Sequence, residues 1–423
     1  MKERLALVDG VRTPFCKMGT SLATMGADEL GRIAVNALLT RTGLDPALVD
    51  EVIFGCVAQP PDAVNVARVI ALRAGLPQSV PAVTVHRNCA SGMEAFTTAA
   101  ERFNGGRGSV FIVGGAESMS QVPLLFKPAA AGKFAHLMRA KSLFQKLGAM
   151  TAFRPGDFQP RIGLNLGLTD PVCGLNMGET AEVLAREYAI SREAQDAFAL
   201  ESHKRAAAAH DKLAEEICPV YDRGKAITSD NGIREKQSVE ALAALHPVFD
   251  KRFGTVTAGN SSQITDGAAA LLVMGEAKAA ELGFEPLGYL TAYAYAGCDP
   301  KRMGLGPAFA VAKVQRASGL TLEDADIVEI NEAFAAQVIA AEALMKSEDF
   351  GKSMGLNGAI GPIPAEKLNV NGGAIALGHP VGATGARLIL TGLKELRRRR
   401  GKRVLLTLCV GGGQGAAIWL ERP

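Results

Sequence analysis

Two kinds of apolar run alternate along the 423-residue chain. "SVFIVGG" (109–115) and "RVLLTLCVGGG" (403–413) are continuous, with no polar residue at every second position. That is the pattern of strands covered on both sheet faces. "LALVDGVRTPF" (5–15) reads as a first strand that stops at a Gly/Thr/Pro turn. By contrast, "GETAEVLAREYAISREAQDAFALESHKRAAAAHDKLAEEI" (178–217) spaces its apolar residues as helices do. Strands interleaved with helices predict an α/β fold.

The order of elements partly repeats. "GLDPALVDEVIFG" begins at Gly43 and "GLTLEDADIVEIN" at Gly319; each follows a helical stretch and passes through acidic residues into a β-branched strand. "CASGMEAFTTAAERFNGGRGSVFIVGGAES" and "PVGATGARLILTGLKELRRRRGKRVLLTLCVGGGQG" both run glycine turn, helix, basic turn, buried strand, glycines. Two matches in one order predict duplicated α/β halves, each a sheet covered by helices. Residues 1–120 with 245–280 are expected to form the first half and 281–423 the second. Residues 121–244 have no counterpart and are expected to form an inserted subdomain over one edge of the core.

Charge adds little: 46 basic against 43 acidic residues leave a net charge of +3, which gives no reason to expect nucleic-acid binding across the surface. Seven cysteines without a CxxC pair argue against a disulfide framework or a zinc site, and favour a reducing compartment. No stretch reads as a signal peptide or a membrane span, so a cytoplasmic protein is expected. No metal or redox cofactor is implied. Cys16, Cys56, Cys173, Cys218 and Cys298 carry no motif.

Four sites carry candidate chemistry. Cys89 precedes "ASGMEAFTTAAERF", a helix-forming stretch, and a thiol at a helix N-terminus faces N–H groups that favour the thiolate. A buried structural cysteine is the competing reading. His379 lies between Gly378 and Pro380 in "NVNGGAIALGHPVGATGAR", either as a base or oxyanion donor or as a surface histidine. Cys409 ends a buried strand against three glycines, where a thiol can move a proton to and from carbon. Asn331 in "VEINEAFAAQ" either caps the next helix or holds a water or a carbonyl oxygen.

In this order and spacing, these blocks identify the chain as resembling the thiolase family over nearly its whole length. The resemblance implies a duplicated thiolase fold with a five-layered α/β/α/β/α core and an inserted loop domain. It implies thiolysis of 3-ketoacyl-CoA through an acyl-cysteine: Cys89 as nucleophile, His379 as its base and Cys409 as acid/base on the acetyl carbon. His379 and a water held by Asn331 would form one oxyanion hole, and the N–H groups of Cys89 and Gly411 the other. Coenzyme A is then a substrate, with no permanently bound cofactor. Ser262 in "TVTAGNSSQITDGAAALL" matches the turn beside pantetheine, and Arg234 matches a contact to the adenine-nucleotide end. Met177 in "LNMGETAE" matches a position in the acyl or pantetheine pocket. A homodimer or homotetramer is implied as well.

Within the family, short-chain biosynthetic members usually have histidine where this chain has Asn176, which favours a degradative enzyme over an acetyl-CoA acetyltransferase. Segment 121–164 carries seven basic residues against Asp157 alone, with Phe134, Leu137, Met138, Phe144 and Leu147 near one helical face. A basic amphipathic helix suits an anionic membrane or a partner, and a cover over the substrate pocket is the plainer reading. This segment is similar to that of β-subunits of fatty-acid oxidation complexes, which implies an α-subunit partner. Asn331 departs from that branch, which has histidine there. A ketoacyl synthase would need a second histidine at Cys409, and a non-catalytic acyl-CoA carrier would not need three reactive side chains. "KELRRRRGKR" (394–403) reads as the solvated end of a helix.

Overall fold

The computed structural model describes residues 3–423. Ten strands join in one sheet: β1 (Leu5–Arg12), β2 (Cys16–Lys17), β3 (Glu51–Gly55), β4 (Ala82–Val85), β5 (Val110–Glu117), β6 (Thr265–Gly275), β7 (Gly288–Gly297), β8 (Ile327–Ile330), β9 (Arg403–Val410) and β10 (Gln414–Glu421). The order is β8-β9-β10-β7-β1-β6-β5-β3-β4, with β2 paired to β6. The join in the middle is narrow. β1 meets β7 only through Ala6–Tyr289 and Leu7–Gly288.

Either side of that join the topology repeats. The helices α1 (Ala27–Thr42), α2 (Val66–Arg73) and α3 (Ser91–Asn104) of one half answer to α4 (Gly306–Ser318), α5 (Ala335–Met345) and α6 (Val381–Arg399) of the other. β3 lies parallel to β5, which turns antiparallel to β6; β8, β9 and β10 do the same. The two matched Gly-Leu stretches mark equivalent corners. Gly43 and Gly319 cap α1 and α4 at φ 66° and 75°, where a side chain would be strained, and each N–H returns to the last turn.

Burial sorts the elements into layers. α1 and α2 cover one face of the first half-sheet, with Leu30, Val35 and Ile70 against Val52, Phe54 and Leu272. α4 and α5 cover the outer face of the second half-sheet, with Val311, Val314 and Val338 against Leu405 and Trp419. Between the half-sheets lie α3 and α6, whose Phe96, Ile389 and Leu393 share one cluster with Val113 and Leu271 on one side and Leu406 and Ile418 on the other. Helix, sheet, helix, sheet, helix is the result. Because both sheet faces are covered, β5 and β6 are buried at every position.

After β5 the chain leaves the sheet and returns only at β6. In between, the helix Met177–Glu187 packs on α5 and on the turn Pro300–Leu305, and the helix Arg192–Ala208 packs on Ala374–Leu377. This excursion is pinned to β1 by a buried ion pair: Arg12 meets Glu216 at 3.2 Å and Asp230 at 2.7 Å.

The basic segment is a hairpin of two short helices, Pro128–Arg139 and Leu143–Met150, and not one stripe. Phe134 turns inward onto Phe126, Phe153 and Phe158, while Met138 and Phe144 point outward, each 86% exposed. The break at Lys141–Ser142, where Ser142 starts a fresh capping box with Gln145, puts the apolar residues on two faces. The basic run at 394–403 is also less solvated than its composition suggests. Lys394 is buried, and Arg398 and Arg399 pair with the buried Glu395. Among the described residues, no helix is long and apolar enough to cross a membrane.

Candidate active site

β4 ends at Val85 and α3 starts at Ser91, so the chain turns within five residues. Asn88 takes the left-handed conformation, φ 41°, which asparagine tolerates better than most residues. The turn is closed by Ala90 N–H to Arg87 O (2.9 Å) and Ser91 N–H to Asn88 O (3.0 Å), and the Ser91 hydroxyl accepts from Arg87 N–H (2.9 Å). Cys89 is thereby presented just ahead of α3. Its partner is the glycine turn after β9: Asn88 Nδ2 donates to Gly411 O at 2.7 Å, and the Gly411 N–H lies against the Cys89 thiol.

The titration of Cys89 departs from the expectation that the helix terminus would favour its thiolate. Burial pushes the thiol pKa up, and the N–H groups of Gly411 and Cys89, which pull it down, only partly offset this. Cys409 sits in β9 opposite Gly415, buried, with its thiol held well above the ordinary range by burial first and by the neighbouring Cys89 and Cys298 second.

His379 is buried, which removes the surface reading. Its N–H donates to Gln263 O (3.1 Å), its Nδ1 lies 2.7 Å from Thr384 Oγ1, and its Nε2 is buried without a protein partner. Burial, then the nearby Arg387 guanidinium, lowers its pKa to about 4.

Asn331 does not cap a helix. α5 starts four residues later at Ala335, after Phe334 in extended conformation. The Asn331 N–H continues the β8–β9 ladder to Thr407 O (3.0 Å), while both atoms of its fully buried side-chain amide lack a protein partner. A buried amide in that condition is suited to a water or a substrate oxygen.

Comparison with known proteins decides the family. The thiolase N-terminal domain matches residues 5–277 and the thiolase C-terminal domain residues 284–422. The chain belongs to the thiolase family. This thiolase is 42% identical to a 3-ketoacyl-CoA thiolase of Pectobacterium atrosepticum over 99% of this chain and 97% of that one, and also 42% identical to one of Yersinia enterocolitica with the same coverage. Among solved structures, human mitochondrial 3-ketoacyl-CoA thiolase in complex with CoA is 35% identical with a TM-score of 0.86, covering 100% of this chain and 98% of that one. An acetyl-CoA acetyltransferase of Bacillus anthracis is 38% identical with a TM-score of 0.86, covering 100% and 99%.

The other sequence-derived positions of this thiolase spread outward from the thiols. Met177 begins its helix and shares an apolar cluster with Cys409, Met303, Phe334 and Phe249; its sulfur would lie 3.3 Å from a Cβ at Gly411. Asn176 is the cap of that helix, with its Oδ1 accepting from Gly178 N–H at 3.0 Å. Ser262 is half-buried beside the Asn331 segment, donating its N–H to Ala333 O (2.9 Å). Arg234 is exposed and donates its N–H to His203 Nδ1 (3.2 Å).

Several supporting residues escaped the sequence reading. The buried Glu117 carboxylate accepts from Val57 N–H (3.1 Å), Ala58 N–H (2.9 Å) and Gly382 N–H (2.8 Å), the last in the first turn of α6. Glu332 accepts from Ser202 Oγ (2.6 Å), Asn369 Nδ2 (2.8 Å) and Ile375 N–H (3.2 Å), holding the loop that leads to His379. The one signal in the sequence was a carboxylate at the end of an apolar strand, as in "VFIVGGAE". An acid placed there is either a surface residue or a buried acceptor, and only packing distinguishes them.

Proposed function

We propose that this thiolase cleaves 3-ketoacyl-CoA with CoA to acetyl-CoA and a chain-shortened acyl-CoA, as in fatty-acid degradation. One observation carries the reading: the Cys89 thiol lies against the Gly411 turn and the Cys409 thiol, and the helix that Cys89 precedes packs backbone to backbone on the helix that His379 precedes, while His379 Nε2 and the Asn331 amide are buried without a protein partner. Relatives named 3-ketoacyl-CoA thiolase over nearly full length support it.

In the first half-reaction the Cys89 sulfur attacks the substrate ketone carbon as His379 Nε2 takes the thiol proton. The bond between the ketone carbon and its α-carbon breaks, and the electron pair leaves as the enolate of acetyl-CoA. His379, now protonated at Nε2, and a water on Asn331 donate to that enolate oxygen. Cys409 gives its proton to the α-carbon, and acetyl-CoA departs. In the second half-reaction the Cys409 thiolate takes the thiol proton of CoA, whose sulfur attacks the acyl-Cys89 carbonyl. Cys89 leaves as thiolate and recovers its proton from His379. The N–H groups of Cys89 and Gly411 stabilise the tetrahedral oxyanions, each such donor being worth on the order of 3 kcal/mol.

Residues 121–244 serve as the loop domain that, with Ser262, binds CoA, with Met177 along the pantetheine or acyl path and Arg234 toward the nucleotide end. β4 ends the sheet with an uncharged, half-buried edge, Ala82–Val85, which a second copy can extend across a two-fold axis into a homo-oligomer. The helical hairpin, with exposed Met138, Leu143 and Phe144 among Arg139, Lys141 and Lys146, makes peripheral contact with an anionic membrane.

The deciding assay is thiolysis of 3-ketoacyl-CoA substrates from acetoacetyl-CoA to the hexadecanoyl homologue, with Cys89→Ala as control. Rates that hold or rise with chain length support the degradative reading. Turnover confined to acetoacetyl-CoA moves the protein to the acetyltransferase class, and turnover that survives Cys89→Ala removes the mechanism.

A further inference from the structure

His379 has two ring nitrogens and only one proton in its neutral form, so its use as a base depends on which nitrogen holds that proton. Nε2 is buried and faces no protein donor or acceptor. Nδ1 has one neighbour, the Thr384 hydroxyl at 2.7 Å. Thr384 lies in the first turn of α6, and its Oγ1 is also 3.0 Å from Pro380 O, one turn back.

We infer that Thr384 is a positioning residue that fixes His379 as the Nδ1–H tautomer and leaves the Nε2 lone pair free for the Cys89 proton. A carbonyl can only accept, so for both contacts of the Thr384 hydroxyl to be hydrogen bonds its single hydrogen goes to Pro380 O, in the back-bonded arrangement that threonine adopts in helices. The hydroxyl oxygen is then an acceptor, and it takes the hydrogen on Nδ1. The His379 main chain is held independently by Gln263 O. Thr384 therefore sets the proton and the ring angle, not the path of the chain. Burial and the Arg387 guanidinium disfavour a second proton on the ring, which keeps the neutral tautomer the relevant species. When Nε2 takes the Cys89 proton, the imidazolium keeps its Nδ1–H bond to Thr384 unchanged. The inference rests on His379 acting as the base for Cys89.

Two measurements test it. In ¹⁵N-histidine-labelled protein, the His379 signals, identified by their loss in His379→Asn, should show a protonated Nδ1 and an unprotonated Nε2 at neutral pH. Thr384→Val should slow acetylation of Cys89 by acetyl-CoA on the order of 100-fold, short of the ~10⁴-fold seen when a charged partner is taken from a catalytic histidine. Thr384→Ser, which keeps the hydroxyl, should restore the rate to within about threefold, well inside the 1.4 kcal/mol that a tenfold change represents. Melting temperatures of both variants separate loss of fold from loss of the tautomer. An Nε2–H signal in the wild-type protein, or a folded Thr384→Val with normal acetylation, overturns the inference. If His379→Asn still acetylates at the wild-type rate, the base assignment itself is what fails.

Discussion

Cys89 and His379 occupy equivalent places in the two halves: each lies one residue before the N-cap of a central helix, Ala90 for α3 and Pro380 for α6. Their helices touch backbone to backbone near these ends. A Cβ at Gly92 would lie 2.6 Å from Ala386 N, and one at Gly385 would lie 2.4 Å from Met93 N. The approach chains differ, a strand end at Val85 before Cys89 and the short helix Ala374–Leu377 before His379, but the pairing of the halves sets the two helix entries side by side.

The pair rests neutral. Burial raises the Cys89 thiol and lowers His379 to about 4, so both shifts oppose a preformed thiolate–imidazolium pair. Alkylation of Cys89 by iodoacetamide, followed in a Cys409→Ser background, should climb with pH through the alkaline range with no inflection near neutrality. An ion-paired cysteine of the protease type titrates at about 3–4 and would react at a flat rate across neutral pH. That flat profile would contradict the neutral pair.

Stability should fall with acid because of the same histidine. Below the ordinary value of 6.5 the unfolded chain binds a proton at His379 that the folded chain refuses until about 4. The unfolded state holds more protons in that window, so stability is full above it and lost as pH falls through it. Urea unfolding at pH values spanning the window should show a flatter pH dependence for His379→Asn than for wild type. The difference should reach at most about 3 kcal/mol, at 1.36 kcal/mol per pKa unit. Parallel curves would show that the ring protonates in the folded state.

Asn88 performs two tasks that substitution can separate. Asn88→Ala removes the amide bond to Gly411 O and forces alanine to φ 41°; Asn88→Gly removes the bond but accepts the conformation. The alanine variant should be the less stable of the two by about 1 kcal/mol. Both should lose kcat/KM by a similar factor, because the Gly411 N–H loses its alignment on Cys89 in each. Recovery of full activity in Asn88→Gly would assign the role to the backbone alone.

The fully buried Glu117 accepts three main-chain N–H groups, of which Gly382 is buried and Val57 and Ala58 are half-buried. Glu117→Ala should destabilise the fold by about 1–3 kcal/mol, the cost of orphaning one buried donor, here Gly382 N–H, because the half-buried Val57 and Ala58 can turn to water. Glu117→Gln retains one accepting oxygen and should cost clearly less. Denaturant midpoints for the two variants check this order, and an equal loss would mean that packing, and not hydrogen bonding, is what Glu117 supplies.

The hairpin proposal predicts salt-sensitive sedimentation with vesicles containing phosphatidylserine. Met138→Ser with Phe144→Ser should abolish it without changing thiolysis of soluble substrates. Loss of binding in the double variant together with indifference to lipid charge would assign the surface to apolar contact alone. No binding by the wild-type protein would leave a protein partner as the occupant.

The chain alone made legible the strands Leu5–Arg12, Val110–Glu117 and Arg403–Val410, the duplication and the four motif blocks. These depend on short-range properties: apolar periodicity, glycine at Gly43 and Gly319, and small residues around Cys89. Asn176 and Asn331 were legible as motif positions but not their contacts, and the basic segment reads as one amphipathic helix where the structure has two. Asn176 is the helix cap and Asn331 is not, a distinction made by where α5 begins in space. The charge states follow from packing. A helix terminus argues for a Cys89 thiolate from nearby residues, whereas the opposing desolvation comes from a core cluster that includes β9 and α6, hundreds of residues away. Burial is a property of the whole packing, so no local pattern could have reported that it outweighs the helix.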